Sequence, residues 1–201
     1  MSVVQAVGLG GKTVAAVVNY AIHPEVFGNE IGVLSPDLIG PPRDSVEAGA
    51  GGGALFVNSA QGRMVTADKR NLDDPKDRLK GYWHDARTWA ECPRIGRLMA
   101  AEALRIVKDA RVQAEPTMFC DSTLIRFPIE SDLMWGVILG SPLKYPHEAD
   151  RSIRARIHLV NLGDAWVLSI PREAPPNIGF HLKRKMRGKK NMIFGLTNEA
   201  F

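Results

Sequence analysis

The chain of 201 residues has only two cysteines, Cys92 and Cys120. Two unpatterned thiols exclude a disulfide framework or a zinc ribbon, and both are expected to be ordinary semi-buried thiols. No apolar run approaches the roughly 18 residues that a membrane-spanning helix requires. The N-terminal stretch "MSVVQAVGLGGKT" has no charged segment leading into an apolar one, so no secretory signal is visible in it. The H-E-x-x-H and C-x-x-C patterns are missing, which denies any metal assignment from local spacing. The G-x-S-x-G elbow of many serine hydrolases is missing too. There is no internal repeat and no low-complexity tract.

What remains is a hydrophobic fraction of 45% and a charged fraction of 24%, ordinary for a globular domain of a length that can bury a sizeable core. The net charge of +4 hints at a polyanion partner until it is located. "LKRKMRGKK" holds Lys183, Arg184, Lys185, Arg187, Lys189 and Lys190. These six cations exceed the whole surplus, so the rest of the chain nets −2. Two readings fit the cluster: a solvated helix end whose cations complement the dipole, or a contact with an anionic membrane surface. No aromatic interleaving or helix-turn-helix pattern accompanies it, so nucleic acid is not an expected partner.

Residues 13–21 are small and β-branched, which predicts a buried strand. A Pro- and Gly-punctuated loop follows, then Asp37 as a helix cap, with Gly40, Pro41 and Pro42 making the first turn irregular. "GAGGG" ends that helix and "ALFVN" reads as a second strand. Residues 59–85 are long, polar and charged, and read as an ordered functional loop or a surface segment. The clearest helix spans 93–110, with Ile95, Leu98, Met99, Ala103, Ile106 and Val107 as its apolar stripe. After it come a strand over 117–129, a short helix or apolar segment over 131–139, and a loop over 141–151. A hairpin then turns at Leu162-Gly163-Asp164, followed by a helix over 175–186 and a last strand over 191–196. Strands alternating with helices predict an α/β fold, a layered mixed sheet with flanking helices. The chain opens almost directly on a strand and stops just after one, as an internal piece of a larger catalytic domain would.

Three apolar strands finish in short polar clusters: "NYAIHP", "ALFVNSAQG" and "VLSIPREAPP". His23 is held extended by Pro24, and an imidazole fixed at a strand end serves either as a metal ligand or base, or as a hydrogen-bonded loop residue. Glu173 lies near a helix N-terminus, where a carboxylate is favoured as a cap and can also meet a cation. Zinc accepts carboxylate oxygen and imidazole nitrogen together. Ser59 is flanked by Asn58, Gln61 and Gly62, small or polar residues that let a hydroxyl and backbone N–H groups approach a substrate carbonyl; a loop serine also commonly just satisfies backbone. His158 reads as a strand residue and His181 as a surface helix residue, while His84 and His147 fall in polar loops.

Together these stretches resemble the neutral/alkaline non-lysosomal ceramidase family, collinearly from about Lys12 to Phe201. "NYAIHP" is similar to that family's strand ending in a zinc-binding histidine, and "LSPDLIG", with Asp37, to its Ser-x-Asp loop and helix start. "ALFVNSAQG" resembles its N-x-A-x-G-type loop, with Ser59 where the family carries an active-site serine. "VLSIPREAPPNIGFHLKRKM" resembles its P-G-E strand-to-helix turn, whose glutamate binds zinc, and "IFGLTNEAF" its G-L-x-N strand. The resemblance implies a zinc-dependent hydrolase of the N-acyl amide of ceramide-like sphingolipids, with His23 and Glu173 as ligands, Ser59 as the catalytic hydroxyl, and Asp37, Asn58, Gln61 and Gly62 in support. It also implies an N-acyl lipid as partner and leaves the compartment open, since family members are often exported.

The chain departs from the pattern in four places. The family's upstream H-x-H-S-G-P-like motif and downstream tyrosine ligand have no counterpart here, so residues 1–201 are expected to form one partial domain, incomplete as an enzyme alone. Arg172 replaces the glycine of P-G-E, and Arg63 stands where an aspartate is usual. These departures sustain an alternative, a non-catalytic member or fragment that serves as a lipid-, glycan- or protein-binding scaffold.

Overall fold

The computed structural model describes residues 1–28, 32–64 and 87–197. Most of the polar 59–85 stretch, His84 within it, and residues 198–201 lie outside the described residues. The chain divides into two compact units, Met1–Val112 and Gln113–Phe201.

In the first unit, strands β1 (Ser2–Val7) and β2 (Thr13–Tyr20) form an antiparallel hairpin, and β2 runs parallel to β3 (Gly53–Asn58), in the order β1-β2-β3. The hairpin turn closes through Gly8 N–H to Lys12 O at 2.8 Å, with Gly11 at φ +79°, a left-handed value that suits glycine. A parallel pair needs a crossover, and helix α1 (Gly40–Ala50) supplies it. Pro41 and Pro42 sit in the first turn of α1, where backbone N–H groups have no helical partner to lose, so the prolines start the helix without breaking it. The Glu47 carboxylate accepts the Ala54 N–H (2.9 Å) while Arg43 Nε donates to the Ala54 carbonyl (2.9 Å), which pins the start of β3 to α1.

Helix α2 (Glu91–Lys108) packs across α1. Its buried face is Cys92, Ile95, Gly96, Met99, Ala100 and Ala103. Leu98 belongs to the apolar stripe by composition but is 60% exposed, because it lies well round the helix from the Ile95–Met99–Ala103 line. Among the described residues, core clusters are formed by Ala16, Val18, Val46, Ala54, Ala100 and Ala103 between sheet and helices, and by Ile22, Val26, Phe27, Leu38, Cys92, Ile95 and Met99 at the strand ends.

The second unit has its own sheet, ordered β4-β5-β6-β7. β4 (Met118–Pro128) and β5 (Ser152–Leu162) pair antiparallel along their whole length, and β5 turns into β6 (Ala165–Ser169) at Gly163 and Asp164. β6 and β7 (Lys190–Phe194) are parallel, with helix α4 (Pro176–Lys185) as their crossover. Between β4 and β5, helix α3 (Asp132–Gly140) is capped by Ser131, whose Oγ accepts the Met134 N–H, and buries Ile138 against Ile129 and Ile153. The expected α/β class and mixed strand pairing are present, with the strands shared between two sheets.

Candidate functional site

Both strands of the parallel pair β2/β3 end on the same side of the sheet, with Tyr20 in register with Asn58. That direction alone carries His23, three residues past β2, and the 58–62 turn, just past β3, to one sheet end. In open sheets with parallel strands this is the side on which ligands bind. The Ser59 N–H donates to the Tyr20 carbonyl (3.0 Å), extending the pairing beyond the strands. Within the pair, Asn19 is buried and its Nδ2 donates to the Val57 carbonyl (3.0 Å).

His23 Nδ1 lies 2.7 Å from the Met64 carbonyl. A carbonyl can only accept, so this contact requires a proton on Nδ1, which in the neutral ring leaves Nε2 as the nitrogen able to meet a metal. The 61–64 turn that presents this carbonyl is closed by Met64 N–H to Gln61 O (2.7 Å), with Arg63 at φ +67°. Ser59, Ala60 and Gln61 are all buried, at 5%, 5% and 1% exposure. Among the described residues, the Asn58 Oδ1 is buried with no hydrogen-bond partner. Gly62 is buried with them.

Asp37 is not the helix cap expected from its position. It opens a 3-10 turn (Asp37–Ile39) at φ +48°, and its carboxylate accepts the N–H groups of Val26 (3.0 Å), Phe27 (3.1 Å) and Leu38 (2.6 Å). The carboxylate thereby ties the loop that follows His23 to the start of α1. The Cys92 thiol packs against it; burial first, then the Asp37 and Glu91 charges, push this thiol up to about 12. Cys92 is fully buried and Cys120 exposed, so neither is the semi-buried thiol expected.

Glu173 belongs to the second unit. It is exposed, just past β6 and before α4, whose N-cap is Pro175 with no side-chain capping bond, so Glu173 is not the cap either. Beside it Arg172 is half-buried, and burial lowers its pKa. His158 is a β5 residue whose N–H donates to Ser169 Oγ (2.7 Å), His147 Nδ1 contacts the Tyr145 carbonyl (2.8 Å), and His181 is exposed on α4.

Sequence reasoning missed two parts of this site. Asn19 stood in plain view as a polar residue inside "VVNYA", and a polar side chain in an apolar strand is the informative exception. The Met64 carbonyl, a backbone group, leaves no trace in residue type. As a metal centre the described residues fit in part only. His23 has a suitable donor arrangement, but no group of three or more His, Cys, Asp or Glu side chains converges among them.

No family model matches the chain, and no curated protein matches its sequence. Solved structures do match its fold. Neutral ceramidase from Pseudomonas aeruginosa superposes with a TM-score of 0.69 at 14% identity, over 96% of this chain and 39% of that one. A ceramidase complexed with C2 gives a TM-score of 0.67 at 15% identity, over 98% of this chain and 41% of that one. The chain thus has the fold of part of a neutral ceramidase and spans about two fifths of the length of these proteins.

Proposed function

We propose, from this shared fold and from the geometry at the β2/β3 end, that the chain is the part of an amide hydrolase that carries its active-site serine turn, acting in the complete protein on ceramide-like N-acyl sphingolipids. The observation that carries the reading is the convergence of His23 and the Ser59–Gln61 turn on one sheet end, with the imidazole oriented by the Met64 carbonyl. His23 would be one ligand of a zinc ion, with further ligands from elsewhere in the complete protein, since three protein ligands are usual even in open zinc sites. When bound, such an ion supplies Lewis-acid polarisation of an amide carbonyl.

The chain's own residues have separate tasks. Hydrolysis adds water across the C–N bond: the acyl carbon takes the hydroxyl group and the departing amine takes the proton. Ser59 would donate its hydroxyl proton in a hydrogen bond to the carbonyl oxygen as negative charge develops there, in a buried setting where such a bond is strongest. Gly62 leaves room beside it, and Asn58 and Gln61 offer amides for orienting the substrate. Asp37 keeps the His23 loop in place through its three backbone contacts.

A second reading, a non-catalytic scaffold, is favoured by Arg63 in the site turn and by Arg172 beside Glu173. Measured on the complete protein, zinc content by elemental analysis and release of sphingosine from N-acyl sphingosine separate the two. The hydrolase reading expects bound zinc that is lost in His23→Ala, and hydrolysis reduced about 100-fold or more in Ser59→Ala. Zinc at background together with no hydrolysis would establish the scaffold reading instead.

A further inference from the structure

The cations between 183 and 190 are not needed to cap α4. Asn191 Nδ2 donates to the carbonyls of Lys183 (2.8 Å) and Met186 (3.2 Å), and the Met186 N–H closes on Leu182 O (3.1 Å). The dipole acts only over the last turn of a helix. Arg187, Lys189 and Lys190 lie beyond that turn, so it cannot account for them. Lys183 is half-buried, and burial lowers its pKa. Lys189 is matched by Asp164 at 2.9 Å. Among the described residues, Arg184, Lys185, Arg187 and Lys190 have no carboxylate within ion-pair distance.

The same surface is also apolar. Gly179 turns inward, while Ile178 and Phe180 are 46% and 61% exposed. Phe180 and Arg184 lie one helical turn apart on one face, and so do His181 and Lys185. The turn carrying the later cations is firmly seated, since a Cβ on Gly188 would come within 2.5 Å of Asn191 Oδ1 and 2.6 Å of Trp166 Cγ. An exposed aromatic and an exposed aliphatic side chain set among unmatched cations is the pattern of a helix lying on an anionic bilayer, the apolar groups entering the headgroup layer and the cations meeting lipid charge. A nucleic acid would use the cations but give Ile178 no role.

We propose that Ile178, Phe180, Arg184, Lys185, Arg187 and Lys190 form a docking surface for an anionic lipid bilayer. The inference goes beyond the hydrolase reading and does not depend on it. Cosedimentation of the full chain with phosphatidylcholine vesicles, with and without phosphatidylserine, tests it. Binding is expected only with phosphatidylserine present and should fall as salt rises. The triple variant Arg184→Gln, Lys185→Gln, Arg187→Gln should bind about a hundredfold more weakly, each cation near an anionic leaflet being worth about fivefold. Its melting temperature should match the parent's. Phe180→Ala should weaken binding while keeping the salt dependence. Equal binding to neutral vesicles, full binding by the triple variant, or tighter binding to duplex DNA than to phosphatidylserine vesicles would each overturn the proposal.

Discussion

Asp37 holds a left-handed backbone, costly for a residue with a Cβ, because its carboxylate collects three backbone N–H groups that would otherwise be buried without partners. Cys92 is drawn into this arrangement, and its thiol stays protonated far above the ordinary value. Unfolding returns that thiol to 9.0 from about 12. Over that interval the unfolded chain gives up the proton first, so alkali favours unfolding. Stability should be unaffected by this group below pH 9 and decline as pH rises toward 12. Urea unfolding at a series of pH values should show that decline, and Cys92→Ala should flatten it. A thiol reagent at pH 8 should modify the exposed Cys120 readily and Cys92 only after denaturation. At this scale the sequence disclosed residue types and their neighbours. It marked His23 and Ser59 as polar groups beside apolar strands, and Asp37 as a helix cap. It could not disclose that Asp37 binds backbone eleven residues upstream, because that partnership depends on how the loop folds back.

Elements were largely legible, since each carries its own periodicity and punctuation. The strand over 13–21, the α2 helix, the hairpin at Gly163 and the basic end of α4 all stand close to where the pattern put them. The first strand, β1, went unread although "SVVQAV" is followed by a Gly-rich turn; its partner, not its own alternation, makes it a strand. Contacts between elements leave fainter marks. Gly96 looks like a weak point in α2, yet a Cβ there would lie 2.7 Å from both Pro41 Cβ and Pro42 Cδ. The glycine exists so that α1 and α2 can touch. Gly96→Ala should therefore cost roughly 1–3 kcal/mol by overpacking, despite alanine's better helix propensity. A lowered urea midpoint with unchanged slope would bear this out, and a stabilised variant would refute it.

For the whole molecule, the α/β class follows from the alternation of elements, whereas the division of the described strands between two sheets does not, because strand pairing is a long-range choice that local periodicity leaves open. The candidate site shows the same limit. His23 and Ser59 share one sheet end only because β2 and β3 run parallel, and no spacing rule encodes that direction. The parallel pair also sets a sequence of events in time. β1 and β2 need only residues 8–12 to fold back, while β2 and β3 must close across 21–52, at roughly 1–2 kcal/mol more loop entropy. In stopped-flow refolding, destabilising substitutions along the β2/β3 pairing should speed unfolding and those in the hairpin should slow folding; the reverse pattern would refute this order. The hairpin is thus a clock that starts early, and the polar end of the sheet assembles after it and comes apart before it.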